Sequence, residues 1–128
     1  MLFNLPRDEK NILWTNHVKG KIIYYQLSDK RIKRVLRKPN RIEKGIADNT
    51  LAVMQVAGTK KHQTEIWVMY QTVKSKIKGQ KIRIISAWRY PGTSPKREPP
   101  PIPQDALAEL ARVIRITKLE KRDIKKAW

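Results

Sequence analysis

Three runs in the middle of the chain, Thr50 to Val56, Glu65 to Val73 and Lys81 to Tyr90, are built largely from Val, Ile, Met, Trp, Tyr and Thr. Branched and aromatic side chains fit a pleated, half-buried surface, so these runs predict strands. Arg41 to Ala47 supplies an earlier strand, Asp48-Asn49 a tight turn after it, and Lys78-Gly79 the turn between the last two strands. The expected sheet is four-stranded and antiparallel. In its last strand Ile82, Ile84, Trp88 and Tyr90 alternate with Arg83, Ile85, Ala87 and Arg89. That alternation predicts one core face and one face that offers two guanidinium groups to a ligand.

Helical periods lie on either side of the strands. Thr15 or Asn16 caps a first helix carrying Val18, Ile22 and Tyr25 on one face, with Gly20 as its weak point. Ser28 caps a second over residues 29–38, with Ile32, Val35 and Leu36 in one stripe and Pro39 as its stop. Pro91, Pro95, Pro99, Pro100, Pro101 and Pro103 crowd one stretch. Prolines at that density remove backbone donors and favour an extended, stiff connector. Beyond it Asp105 caps a third helix with Leu107, Leu110, Ala111, Val113 and Ile114 along one stripe, which would pack on the sheet or against a twin subunit in a homodimer. The order of elements predicts an α+β fold. Its parts are a basic core over 1–91, a connector over 92–103 and a terminal helix over 104–128.

The charge is lopsided. In 128 residues, 29 Lys and Arg face 11 Asp and Glu, a formal charge of +18, beyond what solubility asks. A field of that sign selects a polyanion, and nucleic acid, with RNA preferred, is the leading partner. Lys30, Arg31, Lys33, Arg34, Arg37, Lys38, Arg41 and Lys44 crowd a stretch whose one acid is Glu43, and Lys21 precedes them. Such a density of repelling charge fits a surface that tracks phosphates, which steers a nucleic acid without reading its sequence. Trp67, Trp88 and Tyr90 are candidates for base stacking wherever they face outward.

Several chemistries are not expected. The chain holds no cysteine, so thiolate metal sites, disulfides and a Cys nucleophile are excluded. Its two histidines, His17 and His62, lack metal-ligand spacing, so neither a metal nor another cofactor is expected. No apolar run approaches the roughly 20 residues of a membrane span, and a cytoplasmic location is the default expectation.

Four segments stand in a familiar order: Trp14-Thr15-Asn16-His17, Leu27-Ser28 through Leu36-Arg37-Lys38-Pro39, Glu65-Ile66-Trp67-Val68-Met69-Tyr70, and Ile84-Ile85-Ser86-Ala87-Trp88-Arg89. Over about residues 14–90 the chain resembles small bacterial domains of the BrnT-like toxin group. The resemblance implies a sheet flanked by helices, as in RelE-like and barnase-like ribonucleases, RNA cleavage without a metal, and an acidic antitoxin-like protein partner. It also implies roles for His17, as the histidine leading the first helix, and for Arg89, as the basic residue ending the last strand.

Metal-free RNA cleavage needs a base for the 2′-hydroxyl, an acid for the leaving 5′-oxygen, and cations for the developing charge. His17, Glu43, Arg83 and Arg89 form the candidate catalytic set. Glu65 and His62 are weaker members, since an acid among lysines reads as an ion pair and His62 sits in a polar loop. Three readings stay open: a metal-independent endoribonuclease, a non-catalytic RNA or ribosome-associated protein, and a module docking an acidic antitoxin-like partner. A sequence-specific DNA reader is disfavoured, because no third helix follows the second to enter a groove.

Overall fold

A computed structural model describes residues 8–9, 11–73 and 81–126, with side chains described to residue 118. Its elements run β1 (Ile12–Trp14), α1 (Asn16–Tyr24), α2 (Asp29–Arg37), β2 (Arg41–Lys44), β3 (Thr50–Gly58), β4 (Gln63–Val73), β5 (Lys81–Pro91) and α3 (Gln104–Lys126). The fold is α+β, with three helices and a five-stranded mixed sheet among the described residues. Strand order is β1-β5-β4-β3-β2. The four expected strands pair antiparallel, and the unforeseen β1 adds a parallel edge through Ile12↔Ile82 and Trp14↔Ile84. The Lys78-Gly79 turn lies outside the described residues.

The helices begin where the cap residues stand. The Thr15 side chain accepts from the Val18 N–H, and the Ser28 side chain from the Arg31 N–H. Each satisfies one of the donors a helix start leaves unpaired. Helix α1 ends in a Schellman turn: Leu27 N donates to Ile22 O and Gln26 N to Ile23 O, while Leu27 and Ile22 are both buried. Gln26 occupies the left-handed position of that turn, at φ 54°, where glycine is usual.

Both faces of the sheet are covered. On one, Val18 and Ile22 of α1 and Ile32 and Val35 of α2 pack against Val53, Ile66, Val68, Ile84 and Ala87. On the other, Ala106, Leu110 and Val113 of α3 pack against Ala52, Met54, Trp67, Met69, Ile85 and Trp88. The stripe of α3 therefore differs from the expected one: Leu107 is 45% exposed and Ala111 is exposed, while Ala106 and Glu109 turn inward. Asp105 lies in the first turn of α3 instead of capping it.

The last strand corrects a second expectation. Met69 pairs with Ser86 and Tyr70 with Ile84, so the register shifts there and Ile85 is left unpaired. An extra residue re-aims every side chain beyond it. Consequently Ala87 and Arg89 share the α1/α2 face with Ile84, whereas Trp88 and Tyr90 share the α3 face with Ile85. Arg83 and Arg89 point to opposite faces, and no open guanidinium face exists.

The hairpin between β3 and β4 closes through Gly58 at φ 84°, where an added Cβ would sit 2.3 Å from the His62 carbonyl oxygen. Backbone cannot yield to such a clash as a flexible side chain can. Gly58→Ala is expected to lower unfolding free energy by at least about 2 kcal/mol, combining left-handed strain with the clash. Gln26→Gly is expected to raise it by about 0.5–1 kcal/mol, because the strain removed exceeds the added chain entropy. Urea unfolding followed by tryptophan fluorescence checks both signs.

Candidate functional site

The expected catalytic set does not assemble. The side chain of His17, from the first turn of α1, places Nε2 3.0 Å from Ser86 Oγ and 3.7 Å from Asp105 Oδ2. Ser, His and Asp thus meet, but both partners address the same nitrogen. A nucleophile relay needs the acid on Nδ1, and Ser86 is only 1% exposed. Lys21 completes the cluster at 2.5 Å from Asp105 and lies over the rings of Tyr24 and Tyr25. The group acts as a latch between α1 and the start of α3.

Glu43 is on the same face of the sheet but at its far edge, in β2. It follows Ser86 along one row of paired residues, Ser86↔Met69↔Ala52↔Glu43, three strand spacings or roughly 14 Å away. Its carboxylate accepts from Arg41 Nε at 2.6 Å. Arg83 Nη1 donates to Gln71 Oε1 at 3.3 Å, on the α3 face. Arg89 Nε donates to the Tyr25 carbonyl at 2.9 Å, on the α1/α2 face. Four residues held by four different partners cannot surround one phosphate. His62 is exposed in the turn of the β3–β4 hairpin.

The expected cationic surface divides in two. Lys30, Lys33, Arg34 and Arg37 line one groove of about 490 Å³, floored by Ile12, Leu36 and Ile82. One acid, Glu9, lines the same groove and pairs with Lys33. Around the helix, Arg31 donates to Gln55 and stands near Arg34 and Arg89. Burial first, then those two neighbouring charges, push its guanidinium below the ordinary value, although arginine stays protonated. Lys38 and Lys44 are exposed. Lys21 and Arg41 are not free for a ligand, since Asp105 holds the one and a network beneath the connector holds the other.

That network was not foreseen from the sequence. Arg41 lies 5.2 Å above the Trp67 ring and donates to Glu43, to Ser94 Oγ at 2.9 Å and to the Glu98 carbonyl at 2.7 Å. Glu65, 2% exposed, accepts from Trp67 Nε1 at 3.1 Å and from Ser94 N at 3.2 Å. The reading of Glu65 as a surface ion pair is therefore wrong: it is a buried acceptor that fastens the connector to the sheet. Its place on the inward alternation of β4, level with Trp67, was the available signal. Trp67 and Trp88 are buried and stacked at 6.0 Å, so neither offers a base-stacking surface; exposed aromatic area is supplied instead by Tyr24, 72% exposed.

Among the described residues no three His, Cys, Asp or Glu side chains gather as metal ligands, and no helix is long and apolar enough to cross a membrane. Comparison with protein families, curated protein sequences and solved structures gave no match to this chain.

Two outcomes test these assignments. Glu65→Ala strands two buried donors and is expected to cost about 2–5 kcal/mol in urea unfolding, with Glu65→Gln milder because it keeps an acceptor. At the latch, the hydrogen bond from Lys21 holds the Asp105 carboxyl below its usual value, and that same bond raises Lys21. A depressed carboxyl stabilises above its unfolded pKa of about 3.9 and loses that contribution as pH falls through the folded value. The raised lysine contributes below about 10.4 and loses it in alkali. Asp105 is 43% exposed, so Asp105→Asn should cost only about 0–1 kcal/mol at pH 7. Unfolding curves of the variant and the parent chain should begin to approach each other below about pH 4 and meet only below the depressed folded value of Asp105.

Proposed function

We propose that this chain is a cytoplasmic RNA-binding protein that engages the phosphodiester backbone along α2. The observation that carries the reading is the groove in which Lys30, Lys33, Arg34 and Arg37 stand together with Glu9 as the single acid. Arg31 and Arg89 extend the positive surface around the helix. Cations held this close repel one another, and a phosphate chain removes that repulsion while releasing its condensed counterions. The apolar floor of Ile12, Leu36 and Ile82 gives sugars and base faces something to cover. RNA is preferred over DNA on the resemblance to BrnT-like domains.

The reading is of binding, not cleavage. His17, Glu43, Arg83 and Arg89 lie too far apart to act on one phosphate, and Ser86 beside His17 is sealed from solvent.

Fluorescence anisotropy with a labelled single-stranded RNA tests it. Three phosphates neutralised by Lys30, Arg34 and Arg37, with Lys33 paired to Glu9, would give a slope of about −2 in log affinity against log salt, at about −0.7 each. Replacing Arg34 and Arg37 by alanine should flatten that slope by about 1.4 units. A salt-independent affinity, or an unchanged slope in the double variant, would overturn the assignment to α2. Equal affinity for duplex DNA would remove RNA from the reading.

A further inference from the structure

Beside the groove, the α1/α2 face of the sheet holds a second group of cations. Gln55 of β3, Ile66 of β4 and Arg89 of β5 are paired in one row across three strands. Gln55 and Arg89 therefore stand two strand spacings apart, roughly 10 Å, and their side chains share that face. From above, Arg31 in the first turn of α2 donates to the Gln55 side-chain carbonyl. Arg89 Nε donates to the backbone carbonyl of Tyr25, the residue that ends α1, at 2.9 Å. Arg34, one turn along α2 from Arg31, also lines the groove and so joins the two groups of charge.

The kind of partner sets these arginines apart. Arg41, Arg112, Lys21 and Lys33 each pair with a carboxylate, which cancels their charge within the fold. The Gln55 and Tyr25 carbonyls are neutral acceptors: they fix where a guanidinium points and leave its charge intact. Among the described residues no carboxylate forms an ion pair with Arg31, Arg34 or Arg89. Arg31 is half-buried as well. A cation partly withdrawn from water and crowded by its own kind is costly to hold unless an anion supplies the missing partner.

The form of that anion follows from the donors left over. Arg31 and Arg89 each commit one donor to the fold and keep the others of the fork. An internal phosphodiester carries one charge on two free oxygens, which a single fork can occupy. A phosphate monoester carries close to two charges at pH 7 and has three free oxygens, enough for two forks at once. We propose that Arg31 and Arg89, with Arg34 beside them, form a site for the terminal phosphate of an RNA strand. The groove along α2 tracks the backbone, and the arginine pair captures the monoester at one end. The inference rests on the RNA-binding reading and deepens it, naming a phosphorylated end as what the surface selects.

The test titrates the full chain into an internally labelled single-stranded RNA of one sequence, carrying a 5′-phosphate, a 3′-phosphate or hydroxyls at both ends, with anisotropy as the readout. A phosphorylated form should bind more tightly than the hydroxyl form by about 10- to 150-fold, as one further charge-assisted hydrogen bond gives. The end that shows the gain is the source of the monoester. Arg31→Gln and Arg89→Gln should each erase that ratio, which is read within each variant so that a general weakening of RNA binding does not count. Arg31→Lys keeps the charge without the fork and should retain only part of the ratio. Arg37→Ala, in the groove, should weaken every form alike and keep it. Equal affinity of all three RNAs overturns the proposal, as does a ratio that survives both glutamine variants. The hydroxyl-ended RNA reads the groove through its own salt slope. Equal affinities with that slope intact remove the terminal site alone, whereas a flat slope removes the RNA reading itself.

Discussion

The structure depends on the pairing of β4 with β5, two eleven-residue strands buried on both faces. A strand that is apolar on both sides cannot stop at a hairpin; it requires cover above and below. Helices α1 and α2 supply one cover and α3 the other. At the centre Trp67 and Trp88 stack almost parallel, 5° apart, and sit under α3 and the connector. The Trp67 N–H finds Glu65, whereas that of Trp88 is buried with no partner among the described residues. Glu65 offsets its own burial here: without it the Trp67 N–H would join those of Trp14 and Trp88 as a third stranded indole donor, at about 1–3 kcal/mol.

This pairing also decides what the sequence could disclose. The long strands were legible because Val, Ile, Trp and Tyr were dense there, and α1 and α2 because Thr15 and Ser28 stand at their starts. β1 was not, since Ile12 to Trp14 is too short to show a period and is stabilised by lying along β5. The bulge at Ile85 was equally hidden. Strict alternation holds only along an unbroken pleat, so one unpaired residue moved Trp88 and Tyr90 to the face opposite Ile84 and separated Arg83 from Arg89. The terminal helix was visible as a helix, and Leu110 and Val113 of its expected stripe are buried, but Ala106 and Glu109 take the inward places that Leu107 and Ala111 were expected to fill.

Site residues divided along the same line. Composition located the cations of α2, because exposed charge on a short helix needs no tertiary information. It could not say which cations were already engaged. Arg41 and Lys21 look no different from Arg34 or Lys30 in the sequence, yet their partners Glu43, Ser94 and Asp105 come from elsewhere in the chain. Long-range pairing turns equal charges into unequal ones: a cation neutralised within the fold contributes little to a polyanion's field, and one crowded by its own kind contributes most.

The two faces of the sheet then take on different physical characters. The α2 face gathers more positive charge than its one acid, Glu9, can neutralise, over a shallow apolar floor, and the proposed phosphate contacts rest on that excess. The connector face sets the carboxylates of Glu43 and Glu65 beside Arg41, so its charge is largely balanced within the fold. Residues 38–41 join these surfaces. The Lys38 carbonyl accepts from Gln55, whose own carbonyl oxygen accepts from Arg31, while Asn40 Oδ1 accepts from the Val56 N–H. Residues 38–41 are thereby held from two sides, by α2 through Gln55 and by β3 through Val56.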